Sequence, residues 1–215
     1  MRKLDRVVCP TPPCLDGYQQ GAHSWDDVTP DHRAEIRTHL EEMQGRRCAY
    51  CEGDIDTLGQ HIEHFRRKGD PAYRHLTFDW SNLFWSCHQE DTCGRFKDNR
   101  AGAFNASDLI DPCADDPDSF FIFQVDGTIS IRHGLSPTDQ HRAKETLRVF
   151  SLDAEWGRLR AMRKIAVSGY VDDADSAFNE GWPPEDIRAY FAEELEYARL
   201  LPFCTAIRHV LTERQ

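Results

Sequence analysis

CAYCEGDIDTLGQHIEHFRRKGDPAYRHLTFDWSNLFWSCHQEDTCGRFK, residues 48–97, concentrates the metal-ligand chemistry of this chain. Cys48 and Cys51 form a Cys-x-x-Cys pair, and Cys87 and Cys93 form a looser one. Zinc in structural sites takes four tetrahedral ligands and favours thiolates, so two cysteine pairs on short turns can wrap one ion. The bland alternative is four unrelated thiols in a reducing compartment. The twinned arrangement around a His/acid cluster argues against it.

That cluster is His61, Glu63 and His64. As a strand, Gln60–Phe65 alternates its side chains, so His61 and Glu63 face one way and His64 the other. At a strand end, neighbouring Glu63 and His64 can still serve one site, one as metal ligand and one as base. Phosphodiester hydrolysis needs a Lewis acid on the phosphate, an activated water and a stabilised leaving oxygen. A neutral imidazole suits the second task. A carboxylate and an amide oxygen are hard ligands that suit magnesium or manganese.

Outward from this stretch, the N-terminus MRKLDRVVCPTPPC lacks an apolar run of signal-peptide length, and the 215 residues hold no run long enough to span a bilayer. The expectation is a cytoplasmic protein without a membrane partner, whose thiols stay reduced. Cys9, Cys14, Cys113 and Cys204 then read as small buried apolar residues. Cys9 with Cys14 as a second metal pair is the weaker reading. The net charge of −11 is unusual for a protein that grips phosphates. Arg66, Arg67, Lys68, Arg74, Arg95, Lys97 and Arg100 supply a local basic footprint, with Arg66, Arg67, Lys68 and Lys97 the nearest candidates for nucleic-acid contact. From Val171 onward ten acids face four arginines, which makes that half either a partner's surface or a solvated acidic face.

In chain order, prolines and glycine make residues 1–28 an extended arm that clamps the body or a partner, or frays. Thr29-Pro30 starts a helix with Ile36, Leu40 and Met43 on one face and Gly45 at its end. Gln60–Phe65 reads as a strand, Thr77–Trp80 as irregular or a second strand, and Glu90–Asn99 as containing a helix. Ala101–Asp118 reads as a linker. Phe120–Val125 and Thr128–Arg132 form a hairpin on a two-residue Asp126-Gly127 turn. Four helical stretches follow: one with Ala143, Leu147 and Phe150 inward, one marked by Leu152, Trp156, Leu159 and Met162, one opened by Pro183-Pro184, and a last one after Pro202.

The pattern Cys-x-x-Cys, Glu63-His64, Asn82-Leu83 and a second Cys pair resembles the HNH endonuclease family. The runs CAYCE, HIEHFRRK and NLFWSC…CGRFKD resemble, more narrowly, the PtuB-type effectors of Septu anti-phage systems, relatives of which occur in retron defence. The resemblance implies an α+β chain: a ββα-metal core with a four-cysteine zinc site, preceded by a helix and followed by a hairpin and a mostly helical region. Its parts would be the arm at 1–28, the core at 29–110 and the C-terminal region at 111–215. It implies His64 as base, and Glu63 and Asn82 as ligands of a catalytic Mg2+ or Mn2+. His61 would be an alternative ligand or a support for one. Structural Zn2+ would sit on Cys48, Cys51, Cys87 and Cys93. Gly94 stands where many members carry Asn or His, with Lys97, Asp98 and His88 the nearest replacements. The implied partners are a PtuA-type ABC/SMC-like ATPase, nucleic acid with DNA favoured over RNA, and in retron settings a reverse transcriptase with its nucleic acid. No G-x-x-x-x-G-K-[ST] occurs here, so ATP control would come from the partner. A non-catalytic zinc module recruiting nucleic acid or protein is the alternative of a different class. It has no need of a base beside a hard-metal ligand.

Overall fold

The structure is a computed structural model and describes residues 1–212. It is mixed helix and sheet, with two small antiparallel sheets of two strands each among the described residues. Helix α1, Pro30–Gln44, starts where Thr29 accepts a hydrogen bond from the His32 backbone and ends at Gly45. It buries Ile36, Leu40 and Met43. Gln44, fully buried, donates to the carbonyls of Arg47 and Trp85 at 2.9 and 2.8 Å and accepts from the Trp85 N–H at 2.8 Å. One side chain thus stands in for a neighbouring strand.

The turn through Cys48 and Cys51 follows. Short α2, Ile55–Leu58, is capped by Asp54. Strand β1, Gln60–His64, pairs antiparallel with β2, Leu83–Cys87, with Gln60 opposite Cys87 and His64 opposite Leu83. The second strand therefore lies after Asn82, and Thr77–Trp80 is part of the irregular connection. Helix α3, Cys93–Asn99, follows. Its first residue donates from its backbone to the Phe150 carbonyl at 2.8 Å.

The stretch read as a linker is packed. Leu109 and Ile110 are buried, Ile110 N–H donates to Thr146 Oγ1 at 2.8 Å, and Leu4 N–H donates to the Pro112 carbonyl at 2.8 Å. Strands β3, Phe121–Phe123, and β4, Ile129–Ile131, form the second hairpin. Its connection is a three-residue loop, because Gln124 N–H meets the Thr128 carbonyl while Gly127 N–H turns back to Gln124. Gly127 has φ +85°, and a Cβ there would lie 2.0 Å from the Arg160 carbonyl oxygen, so the loop takes the form in which glycine closes a type I turn.

Four helices complete the described chain: α4 Pro137–Val149, α5 Arg158–Asn179, α6 Pro184–Ala198 and α7 Cys204–Thr212. Leu152 and Leu159 are buried as the pattern predicts, but α5 begins only at Arg158 and Trp156 is 93 % exposed in the preceding loop. The arm clamps the body: Met1, Leu4, Cys9, Leu15, Trp25 and Val28 join the same hydrophobic core as α1, β2 and α7. The N-terminal ammonium lies 2.8 Å from Glu52. No described helix is long and apolar enough to cross a membrane.

Helix α7 is fastened by fully buried His209. Its Nδ1 accepts from Phe123 N–H at 3.0 Å, so its Nε2 proton points at Asp118 Oδ1, 2.5 Å away. Hydrogen bonding from His209, with Arg208 adding its charge, holds the Asp118 carboxyl well below the usual range despite burial. A depressed carboxyl stabilises the fold above its unfolded pKa, and this contribution fades as pH falls towards the depressed value. Replacing His209→Ala orphans the Phe123 amide and is expected to cost about 2–3 kcal/mol in urea unfolding. Asp118→Asn is expected to flatten the acid limb of the stability profile.

Candidate active site

The four predicted cysteines meet. The sulfurs of Cys48, Cys51, Cys87 and Cys93 all lie within 4.8 Å of one another and all four residues are buried. Tetrahedral zinc with bonds of about 2.3 Å holds its sulfurs about 3.8 Å apart, so this donor set fits the ion with small adjustment. Burial alone would raise the Cys48 thiol. Hydrogen bonds from Cys51, Cys87 and Cys93 outweigh it and hold Cys48 well below its ordinary value. The bonds to Cys48 and Cys51 push Cys87 up, and burial together with the same thiols pushes up Cys93. Four buried cysteine sulfurs packed together, with Cys48 held low, are an arrangement that a cation would stabilise.

The backbone around the cluster is bent to suit. Glu52, directly after Cys51, has φ +64°, and Cys93 has φ +54°. Both are in the left-handed region that L-residues with side chains seldom occupy. At Glu52 the bend lets Gly53 N–H donate to the Cys51 sulfur at 3.4 Å. The Glu52 carboxylate is in turn held by the N-terminal ammonium and by Thr205, at 3.1 Å from its N–H and 2.9 Å from its hydroxyl.

The hairpin that carries Cys87 also carries the acid and histidines. Glu63 and His61 share a face of β1, with His61 Nε2 2.9 Å from Glu63 Oε2. The other carboxylate oxygen lies 2.7 Å from Lys97 Nζ. Burial would raise the Glu63 carboxyl, but Lys97 and His61 bring it down to about 2. Lys97 is fully buried, and its ammonium also reaches the His64 carbonyl at 2.8 Å and Asp98 at 2.7 Å. The contacts to His64 and Asp98 are hydrogen bonds, while Glu63 Oε1 is held by charge alone as an ion pair. Lys97 is thus an internal brace, and the expectation that it touches nucleic acid is corrected by its burial.

His64 closes β1 and is 3 % exposed. Its Nε2 lies 3.0 Å from the Thr77 carbonyl, which fixes the proton there and leaves Nδ1 as the basic nitrogen. Trp25, from the arm, stands edge-on to the imidazole with ring centres 4.5 Å apart. Burial, with Lys68 adding repulsion, lowers the His64 pKa to about 4, against the pull of Thr77 and Glu63. The ring is therefore neutral near pH 7.

Asn82 is fully buried and its amide is committed to backbone. Oδ1 accepts from Arg66 N–H at 2.7 Å, and Nδ2 donates to the Arg66 and Leu76 carbonyls, both at 3.1 Å. It ties the loop after β1 to the start of β2. Gly94 faces the acid directly: a Cβ there would meet Glu63 Oε2 at 2.4 Å. The space that an Asn or His would need on α3 is filled by the Glu63–Lys97 pair. Of the remaining basic residues, Arg67 is tied to Asp98, Lys97 and Gly102, and Arg95 to Glu90. Lys68, Arg74 and Arg100 are exposed and Arg66 half-buried.

For a hard divalent ion the donors present are Glu63 Oε2 and His61, whose Nδ1 is buried without a hydrogen-bond partner among the described residues. The orphaned nitrogen lies across the ring from Glu63, so an ion shared by the two residues would have to replace the His61 Nε2–Glu63 Oε2 contact. Trp25, Lys97 and Gln44 are the structural contributors that pattern reading missed. Only the glycine at 94, unusual at the start of a helix, signalled the close approach. Protein purified from a zinc-supplemented medium is expected to retain at least one chelator-resistant equivalent. Cys48→Ser is expected to lose it and, since such sites contribute on the order of 10 kcal/mol, the near-UV dichroism as well.

No family model matches the chain. Over 142 residues it is 29 % identical to "Retron Vc95 putative HNH endonuclease" of Vibrio cholerae serotype O1 biovar El Tor, covering 63 % of this chain and 66 % of that protein. Over 144 residues it is 28 % identical to "Septu protein PtuB" of Bacillus mycoides (strain KBAB4), covering 54 % of this chain and 46 % of that protein. The match thus spans less than two thirds of the length of either curated relative. Both similarities point to one group, the PtuB-type HNH proteins.

Proposed function

We propose that this chain is a metal-dependent HNH endonuclease of anti-phage defence, with a ββα-metal core over residues 29–110. The observation that carries the reading is the His64 imidazole, held neutral with Nε2 on the Thr77 carbonyl, at the end of the strand that presents Glu63 and His61. A structural zinc-binding turn would gain nothing from a buried base beside a buried carboxylate.

In the proposed mechanism His64 Nδ1 takes the proton of the attacking water. Trp25 and the Thr77 carbonyl fix the ring, so the nitrogen is aimed before substrate arrives. Glu63 and His61 would hold a Mg2+ or Mn2+ ion, which supplies Lewis acidity at the phosphate and the leaving oxygen. Lys97 sets the orientation of Glu63 and grips the His64 carbonyl, linking acid and base into one unit. Asn82 holds the loop that begins at Arg66. Cys48, Cys51, Cys87 and Cys93 would hold a Zn2+ that joins the ends of the motif, a structural role because four protein ligands would leave no open position. Exposed Lys68, Arg74 and Arg100, with Arg66 and Arg67, are the proposed phosphate contacts, and DNA is the favoured substrate.

A chain of net charge −11 calls for help in holding nucleic acid. A PtuA-type ATPase is the proposed partner, with a reverse transcriptase and its nucleic acid added in a retron setting. The acidic C-terminal half is the proposed contact region. There α5, α6 and α7 line an apolar groove of about 720 Å³ that includes Phe178, Trp182, Ile187 and Phe191.

The test is cleavage of supercoiled plasmid with magnesium, with and without the ATPase, alongside an RNA substrate. His64→Ala is expected to lower cleavage by about 10²–10⁴-fold with the zinc content unchanged. If His64→Ala cuts as well as the wild type, the assignment fails. If the wild type cuts neither DNA nor RNA, the zinc recruitment module takes its place. Gly94→Ala is expected to fold, bind zinc and lose at least tenfold in activity, because the new methyl displaces the Glu63 carboxylate.

A further inference from the structure

A second cluster of metal-binding side chains lies away from the hairpin, where the arm crosses α1. Cys9 Sγ, a ring nitrogen of His39 and a carboxylate oxygen of Glu42 all lie within 4.8 Å of one another. Cys9 Sγ is 3.6 Å from Glu42 Oε2. Zinc with bonds of about 2.0–2.3 Å sets neighbouring donors about 3.3–3.8 Å apart, so this edge already matches. His39 and Glu42 are three residues apart on one helix and project on one face.

Independent contacts hold two of the three donors, Cys9 and His39, in place. The Cys9 carbonyl accepts from Trp80 Nε1 at 3.3 Å and its N–H donates to the Arg6 carbonyl at 3.1 Å, so the cysteine is pinned from both sides. His39 Nδ1 lies 2.9 Å from the Pro10 carbonyl. A histidine whose Nδ1 proton is held by a backbone carbonyl presents Nε2 as the ligand, which is the usual support of a metal-bound imidazole. Cys9 is fully buried while Glu42 is at the surface, so an ion would have a way in from solvent. Without an ion, the Cys9 thiol donates to the His39 carbonyl at 2.8 Å. Burial and Glu42 raise its pKa to about 11.

We propose that Cys9, His39 and Glu42 form a second metal site, specific for zinc-type divalent ions, that staples the arm to α1. Thiolate, imidazole and carboxylate together favour zinc over magnesium, and three protein ligands leave the fourth position to water. On binding, the Cys9 sulfur gives its proton to solvent and the S–H bond to the His39 carbonyl is replaced by the S–metal bond. The staple bears on the proposed nuclease site, because the same arm carries Trp25 against His64. The site itself stands whether or not that nuclease reading holds.

The test is zinc titration of the full chain, followed by elemental analysis and hydrogen exchange. The wild type is expected to hold two equivalents, one resisting a mild chelator and one released by it. Cys9→Ser and His39→Gln should each hold only the resistant one, and Glu42→Gln should weaken the labile one at least tenfold. Amide exchange over residues 6–28 should slow when the wild type takes up its second equivalent and stay constant in His39→Gln. His39→Gln serves if Cys9→Ser fails to fold, because His39 lies on an exposed helix face and is only half-buried. A single equivalent in saturating zinc, or a second equivalent that persists in both variants, overturns the proposal.

Discussion

Four sulfur atoms drawn to within 4.8 Å of one another are the constraint on which the structure turns. Two come from the turn before β1, one from the end of β2 and one from the start of α3. A two-stranded hairpin alone is marginal in water, and these strands are five residues each. An ion on these four sulfurs would join both ends and supply what such a short hairpin lacks. The surroundings reinforce it: Gln44 mimics a third strand, Glu52 takes a left-handed turn anchored by Thr205, and Cys93 hangs from the end of α4. The terminal segments of the described chain therefore converge on the same turn.

The second constraint is electrostatic. Glu63 and Lys97 are both buried, a pairing stable only if each remaining donor and acceptor is satisfied. The ammonium meets three oxygens, and the carboxylate meets the ammonium and His61. Gly94 is the condition for that arrangement, since any side chain there would enter the carboxylate. One charge network thus fixes the acid, the carbonyl of the neighbouring histidine and the first turn of α3. Glu63 and the His64 backbone are thus fixed in place before any ligand arrives.

Much of this was legible in the sequence, for identifiable reasons. Cysteine spacing foretold the cluster because ligand chemistry dictates it locally. Thr29-Pro30 foretold its helix because caps are local too. What escaped were choices made in three dimensions. Lys97 reads as a surface cation until α3 turns it onto β1. Asn82 reads as a hard ligand, and no pattern foretells that its amide bridges Arg66 and Leu76. Trp25 lies in a proline-rich arm with no periodicity, and nothing nearby in sequence announces that it meets His64. Trp156 fits a helical stripe, but the helix starts two residues later and leaves it in solvent.

The central claim is that one ion on Cys48, Cys51, Cys87 and Cys93 holds this architecture together. X-ray absorption at the zinc edge, on protein carrying only its chelator-resistant equivalent, tests it most directly. A coordination sphere of four sulfurs at about 2.3 Å is the result expected. A sphere dominated by nitrogen and oxygen, or one with fewer than four sulfurs, would contradict it.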